Sequence, residues 1–167
     1  EVIWEKGTNR AAFARGETQK YQWIDYGSSF LPSEIIAAFL YAQLENLQFI
    51  QAQRISIWER YYSAFQILEN SSLLELPLLP EYGTNNAHVF YLICKSSDQR
   101  NDLLKFLNDN GIYAVFHYLA LNRSKFQEEK SEKVVVREQA ERFESTLIRL
   151  PLYVELTEED QNYIIEK

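Results

Sequence analysis

The longest regular pattern in the chain is an amphipathic repeat that begins after Pro32. Large and apolar residues recur at alternating steps of three and four, the period of one helix face; they include Ile36, Leu40, Leu47, Ile50, Trp58, Tyr61, Phe65 and Leu68. A helix over 33–69 would be about 55 Å long, whereas a compact body of this size is about 40 Å across. We therefore predict that the helix connects two packed bodies or kinks; a bent surface helix is the alternative.

Beyond residue 72 the apolar runs become short, which is typical of strands. Residues 88–95 are apolar on both alternating faces and predict a central strand. Residues 112–116 predict a second strand and 73–79 an additional short one. Residues 148–152 contain Pro151, which favours a sheet edge or a strand end.

Capping signals place helices between and after these strands. Ser96 with Gln99 resembles a capping box, Gly111 is typical of a helix C-terminus, and Thr157 with its following acids predicts a last helix. The charged residues 122–139 predict a loop and a helix start. The alternation of strands and helices predicts an α/β fold, with a small layered α/β or α+β domain after the long helix.

Residues 1–32 are the least regular part of the chain, with glycines and Pro32 interleaved among charges and aromatics. We expect most of this stretch to need a partner surface. The chain contains eleven Tyr, ten Phe and three Trp, and such an aromatic content is typical of buried interfaces as well as cores.

Composition and charge exclude several classes of protein. The net charge is −7, and Arg10, Arg15 and Lys20 are too sparse for a basic patch, so nucleic-acid binding is not expected. The single cysteine, Cys94, excludes a disulfide framework and predicts a buried thiol in a cytoplasmic protein. The two histidines have no Cys/His cluster around them, so no metal site is expected.

No apolar stretch approaches the roughly 20 residues of a membrane span, and no signal peptide opens the chain. The sequence contains no methionine, even at position 1. This predicts processing or an internal fragment.

No self-contained active-site motif is present, neither a phosphate-binding glycine loop nor a nucleophile elbow. Two polar clusters remain. Ser28 and Ser29 precede the predicted helix, where hydroxyls could bind a phosphate or, like Ser33, simply cap the helix. His117 and Tyr118 follow the 112–116 strand, where they could line a site or be structural.

Seven short motifs occur in order along the chain, and each is weak alone: residues 7–10, 20–25, 27–30, 37–45, 86–91, 114–118 and 149–153. In this order they resemble the sugar-nucleotide aminotransferases of the DegT/DnrJ/StrS group, which are fold-type I pyridoxal-phosphate enzymes. The resemblance covers essentially the whole chain. It implies the C-terminal part of such an enzyme: a remnant of the large cofactor-binding domain (1–32), a long connecting helix (33–69) and a small domain (70–167) with a mainly antiparallel sheet covered by helices.

The resemblance also implies a reaction, carried out by a homodimer. Pyridoxal phosphate acts as the electron sink while an amino group moves from glutamate to the C4 keto group of a dTDP-linked 6-deoxyhexose. The family's Schiff-base lysine lies in a Ser-x-His-x-x-Lys segment that this chain lacks, and the acid that pairs with the pyridine nitrogen is also upstream. We therefore expect no catalytic residue here, no bound cofactor and no activity for the chain alone. None of the eight lysines has the motif's context: Lys6, Lys20, Lys95, Lys105, Lys125, Lys130, Lys133 and Lys167.

Family motifs carry over to a few positions. In the family, a Gly-x-Asn-x-Arg motif precedes the connecting helix, and its Asn contacts the cofactor phosphate of the other subunit. Ser29 stands at the Asn position, so the resemblance implies Ser29, with Ser28 beside it, as a cofactor contact supplied in trans, while Leu31 replaces the Arg. The family's His-Tyr-x-Pro-Leu-His motif retains its first two residues, and Ala120 and Asn122 replace the Pro and the second His. The implied substrate-binding residues are Asn9, Arg10, Lys20, Tyr21, His117 and Tyr118.

Two other hypotheses stay open. One is a non-catalytic ligand-binding or oligomerisation module with the same small-domain fold. The other is a structural α/β domain that pairs through the apolar face of its long helix, where Trp58 and Phe65 lie.

Overall fold

The computed structural model describes residues 1–130 and 136–167. Lys133 and part of the predicted loop at 122–139 therefore lie outside the described residues. The chain forms two compact units, Glu1–Leu47 and Gln48–Lys167. Their border falls inside the predicted connecting helix, and the three-part division at 32 and 69 stays a prediction.

The first unit begins with turns rather than with regular elements. Helix α1 (Arg10–Ala14) is a little over one turn long. Two isolated antiparallel bridges, Glu5 with Ser29 and Thr8 with Trp23, join the segments before and after this helix. The bridges bring the residues of the first motif beside those that precede the predicted long helix.

Gly7 is the point at which these turns pack most closely. Its φ is +77°, and its carbonyl accepts hydrogen bonds from the N–H groups of Ile24 and Asp25 at 2.7 and 3.1 Å. A Cβ at this position would lie 1.8 Å from the Asp25 carbonyl oxygen, so only glycine fits. Gly7 is also the only buried residue among residues 1–47, all of which the structure describes. The first unit thus has no apolar core of its own.

The predicted helix over 33–69 is found as two helices. Helix α2 spans Glu34–Glu45 and helix α3 spans Leu47–Asn70, with Asn46 in a turn between them. The side-chain amide of Asn46 donates to the carbonyl of Ala42 at 3.0 Å, a local bond that competes with helical backbone pairing. The helical run is therefore interrupted at this residue, which agrees with the predicted alternative of a kink.

Helix α2 begins as predicted but buries nothing. The hydroxyl of Ser33 accepts from the N–H of Ile36 at 3.4 Å, which confirms Ser33 as the N-cap. No residue of α2 is buried, and its large apolar side chains are exposed, Ile35 at 82% and Phe39 at 70%. A monomeric surface rarely leaves so many neighbouring apolar side chains in water.

The second unit is built around a three-stranded antiparallel sheet in the order β1-β3-β2. The strands are β1 (Phe90–Ile93), β2 (Val115–Phe116) and β3 (Leu147–Leu150). The predicted antiparallel sheet is confirmed, but the central position predicted for the 88–95 strand was wrong, because β1 lies at an edge and β3 lies in the centre. Of the two places predicted for Pro151, a sheet edge or a strand end, the structure shows the strand end. Pro151 follows the end of β3, where its missing N–H breaks no ladder bond. The 73–79 run contributes only an isolated bridge, Glu75 with Ile93.

Local capping signals are confirmed in the second unit. Ser96 caps α4 (Ser97–Asp109) by accepting from the N–H of Gln99 at 3.1 Å. Gly111 follows this helix with φ +77°. Thr157 caps α7 (Glu158–Glu166). The remaining α-helices among the described residues are α5 (Lys125–Lys130) and α6 (Glu138–Thr146).

Helix α3 packs its aromatic residues around Phe90 of β1. The ring of Phe90 lies 5.4 Å from Trp58, 5.1 Å from Tyr61 and 6.1 Å from Phe65, centroid to centroid. Trp58 and Phe65 are only 4% and 7% exposed. Pairing of two chains through these two side chains is therefore excluded, because they form the core of their own unit.

Cys94 is buried beside this core, as predicted, and burial raises the pKa of its thiol to about 11. Among the residues that the structure describes, no helix is long and apolar enough to cross a membrane. The same residues include no group of three or more His, Cys, Asp or Glu side chains suited to a metal ion.

Candidate functional site

A cleft of about 330 Å³ in the first unit collects three of the predicted site residues, Arg10, Tyr21 and Ser29. The Glu5–Ser29 bridge positions Ser29, and Arg10 is the first residue of α1. The remaining lining residues are Trp4, Glu5, Lys6, Thr8 and Leu31. The structure therefore brings residues that are about 20 positions apart in the sequence to one small surface.

The charges of this cleft favour an anion. Lys6 and Arg10 line it, and neither has an ion-pair partner within residues 1–130 and 136–167. The one acid in the cleft, Glu5, accepts a hydrogen bond from the N–H of Ala11 at 3.1 Å. Two cations and the hydroxyl of Ser29 fit a phosphate group, which guanidinium, ammonium and hydroxyl donors bind well. Sequence reasoning missed Lys6, although it directly precedes the first motif.

The other residues predicted in this region do not line the cleft. The side-chain oxygen of Asn9 accepts from the N–H of Gln22 at 2.7 Å, so Asn9 holds two turns together. The backbone of Ser28 bonds to Ile3, Lys6 and Phe30. Lys20 is exposed, and only its carbonyl is bonded to a side chain, that of Thr18. Their binding roles stay predictions.

The second unit carries a separate cluster at the end of β2, made of His117, Tyr118 and Arg149. The Nη2 of Arg149 donates to the carbonyl of Phe116 at 3.3 Å, and the guanidinium carbon lies 5.7 Å from the centre of the Tyr118 ring. The Nε of Arg149 and the Nδ1 of His117 are buried without a hydrogen-bond partner. The sequence placed Arg149 in a motif but did not identify it as a site residue.

The pKa of His117 is lowered from its ordinary value, first by burial and then by the positive charge of Arg149. We predict that Arg149→Gln raises the pKa of His117 without restoring the ordinary value, because burial remains. A proton NMR titration of the two histidines measures it. Arg60→Gln, which removes the same charge elsewhere, should leave the pKa of His117 unchanged, and an unchanged pKa in Arg149→Gln would contradict the prediction.

The lowered pKa of His117 also makes the stability of the fold depend on pH. In the unfolded chain His117 titrates near the usual value of about 6.5. The folded chain keeps the ring neutral to lower pH. The unfolded state therefore binds more protons as the pH falls below about 6.5, and the free energy of unfolding decreases there.

The sequence model of the DegT/DnrJ/EryC1/StrS aminotransferase family matches residues 5–167. The chain belongs to this family. One curated relative is the "Pleiotropic regulatory protein" of Geobacillus stearothermophilus. It is 25% identical to this chain over 159 residues, which are 95% of this chain and 42% of that protein. The family match confirms the resemblance on which the site residues were carried over.

Solved structures show that the fold is that of aminotransferases. The aminotransferase TlmJ of Streptoalloteichus hindustanus matches with a TM-score of 0.79 at 21% identity, over 99% of this chain and 41% of that one. PseC of Helicobacter pylori, an aminotransferase involved in the biosynthesis of pseudoaminic acid, matches with a TM-score of 0.79 at 19% identity, over 99% of this chain and 43% of that one. A Streptococcus pneumoniae protein described as a putative sugar aminotransferase, in its PLP form, matches with a TM-score of 0.82 at 21% identity, over 99% of this chain and 40% of that one.

The chain therefore spans about two fifths of the length of these aminotransferases. Asn122, which the resemblance places at the second His of the small-domain motif, donates its side-chain amide to Glu141 at 2.8 Å. Ala120, at the motif's Pro position, donates its N–H to Glu144 at 3.0 Å. Both residues therefore hydrogen-bond to acids of α6 within the second unit.

Proposed function

We propose that this chain is the C-terminal portion of a pyridoxal-phosphate-dependent sugar-nucleotide aminotransferase. The reaction is the transfer of an amino group from glutamate to a dTDP-4-keto-6-deoxyhexose, as in dTDP-4-amino-4,6-dideoxygalactose transaminase of common-antigen or lipopolysaccharide synthesis. The enzyme is a cytoplasmic homodimer, and this chain alone is inactive. The observation that carries the proposal is the family match over 5–167 in a chain two fifths as long as its relatives.

The first unit supports the view that a larger body completes it. Its 47 residues bury only Gly7, whereas an independent domain buries a contiguous apolar core. Trp23, Tyr26 and Ile35 are 73%, 86% and 82% exposed. Leaving such side chains in water costs free energy that a covering surface recovers. A large domain and a second subunit are the covering surfaces that the aminotransferase proposal supplies.

The cleft residues have defined roles under this proposal. When bound, pyridoxal phosphate supplies an electron sink for the amino transfer. Ser29, Lys6 and Arg10 would hold its phosphate, the hydroxyl as a hydrogen-bond donor and the two cations by balancing its charge. Leu31, which lines the same cleft, brings an apolar wall where the family motif has Arg. Tyr21, which lines the same cleft, would contact the nucleotide-sugar. The substrate-binding roles of His117 and Tyr118 in the second unit stay predictions.

The proposal that this chain holds no Schiff-base lysine predicts a clear chemical result. Incubating the 167-residue chain with pyridoxal phosphate and reducing it with borohydride should give only weak labelling spread over several exposed lysines. Mass spectrometry of the peptides measures the distribution. Stoichiometric labelling of one lysine, lost when that lysine alone is changed to Arg, would overturn the proposal. The reading frame upstream of Glu1 should also encode a Ser-x-His-x-x-Lys segment.

A non-catalytic module is the second candidate. The name "Pleiotropic regulatory protein" of the Geobacillus relative favours it, as does the exposed apolar surface of α2, which suits oligomerisation. The two candidates predict different sequences in the reading frame before Glu1. A reading frame that begins near Glu1 supports the module, and one that encodes the lysine segment supports the enzyme.

A further inference from the structure

We infer that the second unit carries a binding site for a guanidinium group, the cation of an arginine side chain. The site is a cleft of about 220 Å³. Its aromatic and charged lining residues are Tyr113, Tyr153, Asp160 and Tyr163. The site goes beyond the proposed function and does not rest on it, because none of these residues has a role in the amino transfer proposed above.

The first argument is the set of three tyrosine rings. Tyr113, Tyr153 and Tyr163 are 80%, 49% and 44% exposed. Among the residues that the structure describes, none of the three rings pairs with another aromatic ring. An aromatic face attracts a cation that lies within about 6 Å of the ring centre. The ring of Tyr163 already attracts one, since the Nζ of Lys167, which does not line the cleft, lies 5.4 Å from the ring centre.

The second argument is the carboxylate of Asp160. It is the only charged group among the described residues that line the cleft, and it has no ion-pair partner within 1–130 and 136–167. Its Oδ2 accepts a hydrogen bond from the hydroxyl of Thr157 at 2.7 Å, and a carboxylate has room for further donors. A guanidinium is planar and has five N–H donors, so it can bond to this carboxylate while it stacks on a ring.

The acids near the cleft add to the attraction for a cation. Glu155 and Glu159 are exposed, and neither forms an ion pair with any cation in the described part of the chain. The whole chain carries a net charge of −7. Unbalanced negative charge beside an aromatic cleft raises the local concentration of cations and disfavours an anionic ligand there.

Two of the rings are held in place before a ligand arrives. The hydroxyl of Tyr163 donates to the carbonyl of Asn110 at 3.0 Å. The N–H of Ala114 donates to the carbonyl of Ile112 at 2.8 Å, so Tyr113 lies at the tip of a three-residue turn. A site whose groups are already ordered binds its ligand at a lower entropic cost.

The size and chemistry of the cleft favour a guanidinium over other cations. A volume of about 220 Å³ equals that of about seven liquid water molecules, which is room for a guanidinium and the methylene groups that carry it. One carboxylate is too few for a calcium ion, which takes six to eight oxygen ligands. An ammonium is more strongly hydrated than a guanidinium and cannot stack flat on a ring.

The test is an NMR titration of the isotope-labelled 167-residue chain with the N-acetyl amides of arginine, lysine and citrulline, the last of which has the shape of arginine without its charge. We expect saturable shifts of the three tyrosine rings with arginine, weaker ones with lysine and none with citrulline. Asp160→Asn should weaken arginine binding by about fivefold or more, because a hydrogen bond between two charged groups is lost. Tyr113→Leu should weaken it by about two- to fivefold, the contribution of one exposed ring.

Glu159→Gln and Tyr82→Leu are the matched controls. Glu159 is the acid next to Asp160 in α7, Tyr82 is 94% exposed, and neither lines the cleft. Both variants should bind arginine within about twofold of the wild-type chain, because salt screens an exposed charge outside the cleft. Equal binding of arginine and citrulline, tighter binding of lysine than of arginine, or equal losses in Asp160→Asn and Glu159→Gln would each overturn the site.

A pentapeptide with arginine at its centre and alanine elsewhere distinguishes the two sources of the guanidinium. Tighter binding of the peptide than of the arginine amide would support a site for an arginine presented by another protein. Equal or weaker binding of the peptide would support a site for a small arginine derivative. In both cases Asp160→Asn should weaken binding by the same factor, and a peptide that binds equally well to this variant would count against the site.

Discussion

Replacing Phe90 with Ala is expected to lower the free energy of unfolding of the second unit by about 3–5 kcal/mol, the range for a buried Phe changed to Ala. Phe90 has no exposed surface, and its ring touches those of Trp58, Tyr61 and Phe65. Three large rings from one rigid helix cannot all move in to fill the space, so most of the cavity should persist. Urea denaturation followed by circular dichroism measures the change.

Phe106→Ala is the matched control for this prediction. Phe106 lies in α4 of the same unit and is 46% exposed. Its change to Ala removes the same atoms as Phe90→Ala. Its loss should cost less than half as much, because half of its surface is already in water. Equal costs for the two variants would mean that the ring cluster around Phe90 is not the centre of the core.

The second large effect is expected at Ala87, where Val should destabilise the unit by about 2–4 kcal/mol, from positive-φ strain together with overpacking. Ala87 has φ +48° and is fully buried. Its backbone is held on both sides: its N–H donates to Asn85 at 2.8 Å, and its carbonyl accepts from Arg54 at 3.1 Å. A β-branched side chain at this φ clashes with its own backbone, and the two hydrogen bonds prevent the loop from turning away.

Ala87→Gly separates the backbone cause from loss of the methyl group. Glycine accepts a positive φ freely, so relief of strain should offset the lost burial, and the free energy of unfolding should stay within about 1 kcal/mol of wild type. Denaturation of both variants under one set of conditions measures the difference. If Val and Gly destabilise equally, the left-handed conformation of Ala87 is not what limits this position.

Local signals in the sequence predicted the elements better than their places in the sheet. Ser33, Ser96 and Thr157 cap helices as expected, because a cap depends only on a hydroxyl and an N–H two or three residues later. The 88–95 run was wrongly predicted to lie in the centre of the sheet, because strand order depends on distant pairing that no local run encodes. The apolar 88–95 run looked central because both of its faces are covered, not because strands lie on both sides.

The break at Asn46 shows a similar limit within one helix. The three-and-four spacing of apolar residues continues across 33–69, so periodicity alone favours a single helix. The side chain of Asn46 bonds back to Ala42, and this one contact interrupts the pattern. In sequence, an Asn within a helical run is only a weak indication of a helix end. The hydrogen bond of its side chain, which only the structure shows, supports that interpretation.

The candidate site was predictable where a motif named its residues and unpredictable where a distant pairing assembled it. Ser29, Arg10 and Tyr21 came from motifs and share one cleft. Lys6 joins them through the bridge of Glu5 with Ser29, which the sequence does not reveal. Arg149 is revealed only by its missing partners, and an unpaired donor is a property of three-dimensional structure.

The strand order β1-β3-β2 has a consequence for synthesis on the ribosome. Within the described sheet the two earlier strands do not pair with each other, and each pairs with Leu147–Leu150; outside the sheet, Ile93 also forms the isolated bridge with Glu75. As the chain emerges, residues 90–93 and 115–116 must wait until β3 has left the exit tunnel before any ladder can form. Until then the apolar face of α3 has no sheet to cover it, and such nascent surfaces are what chaperones bind. The last-made strand thus decides when this half of the protein can fold.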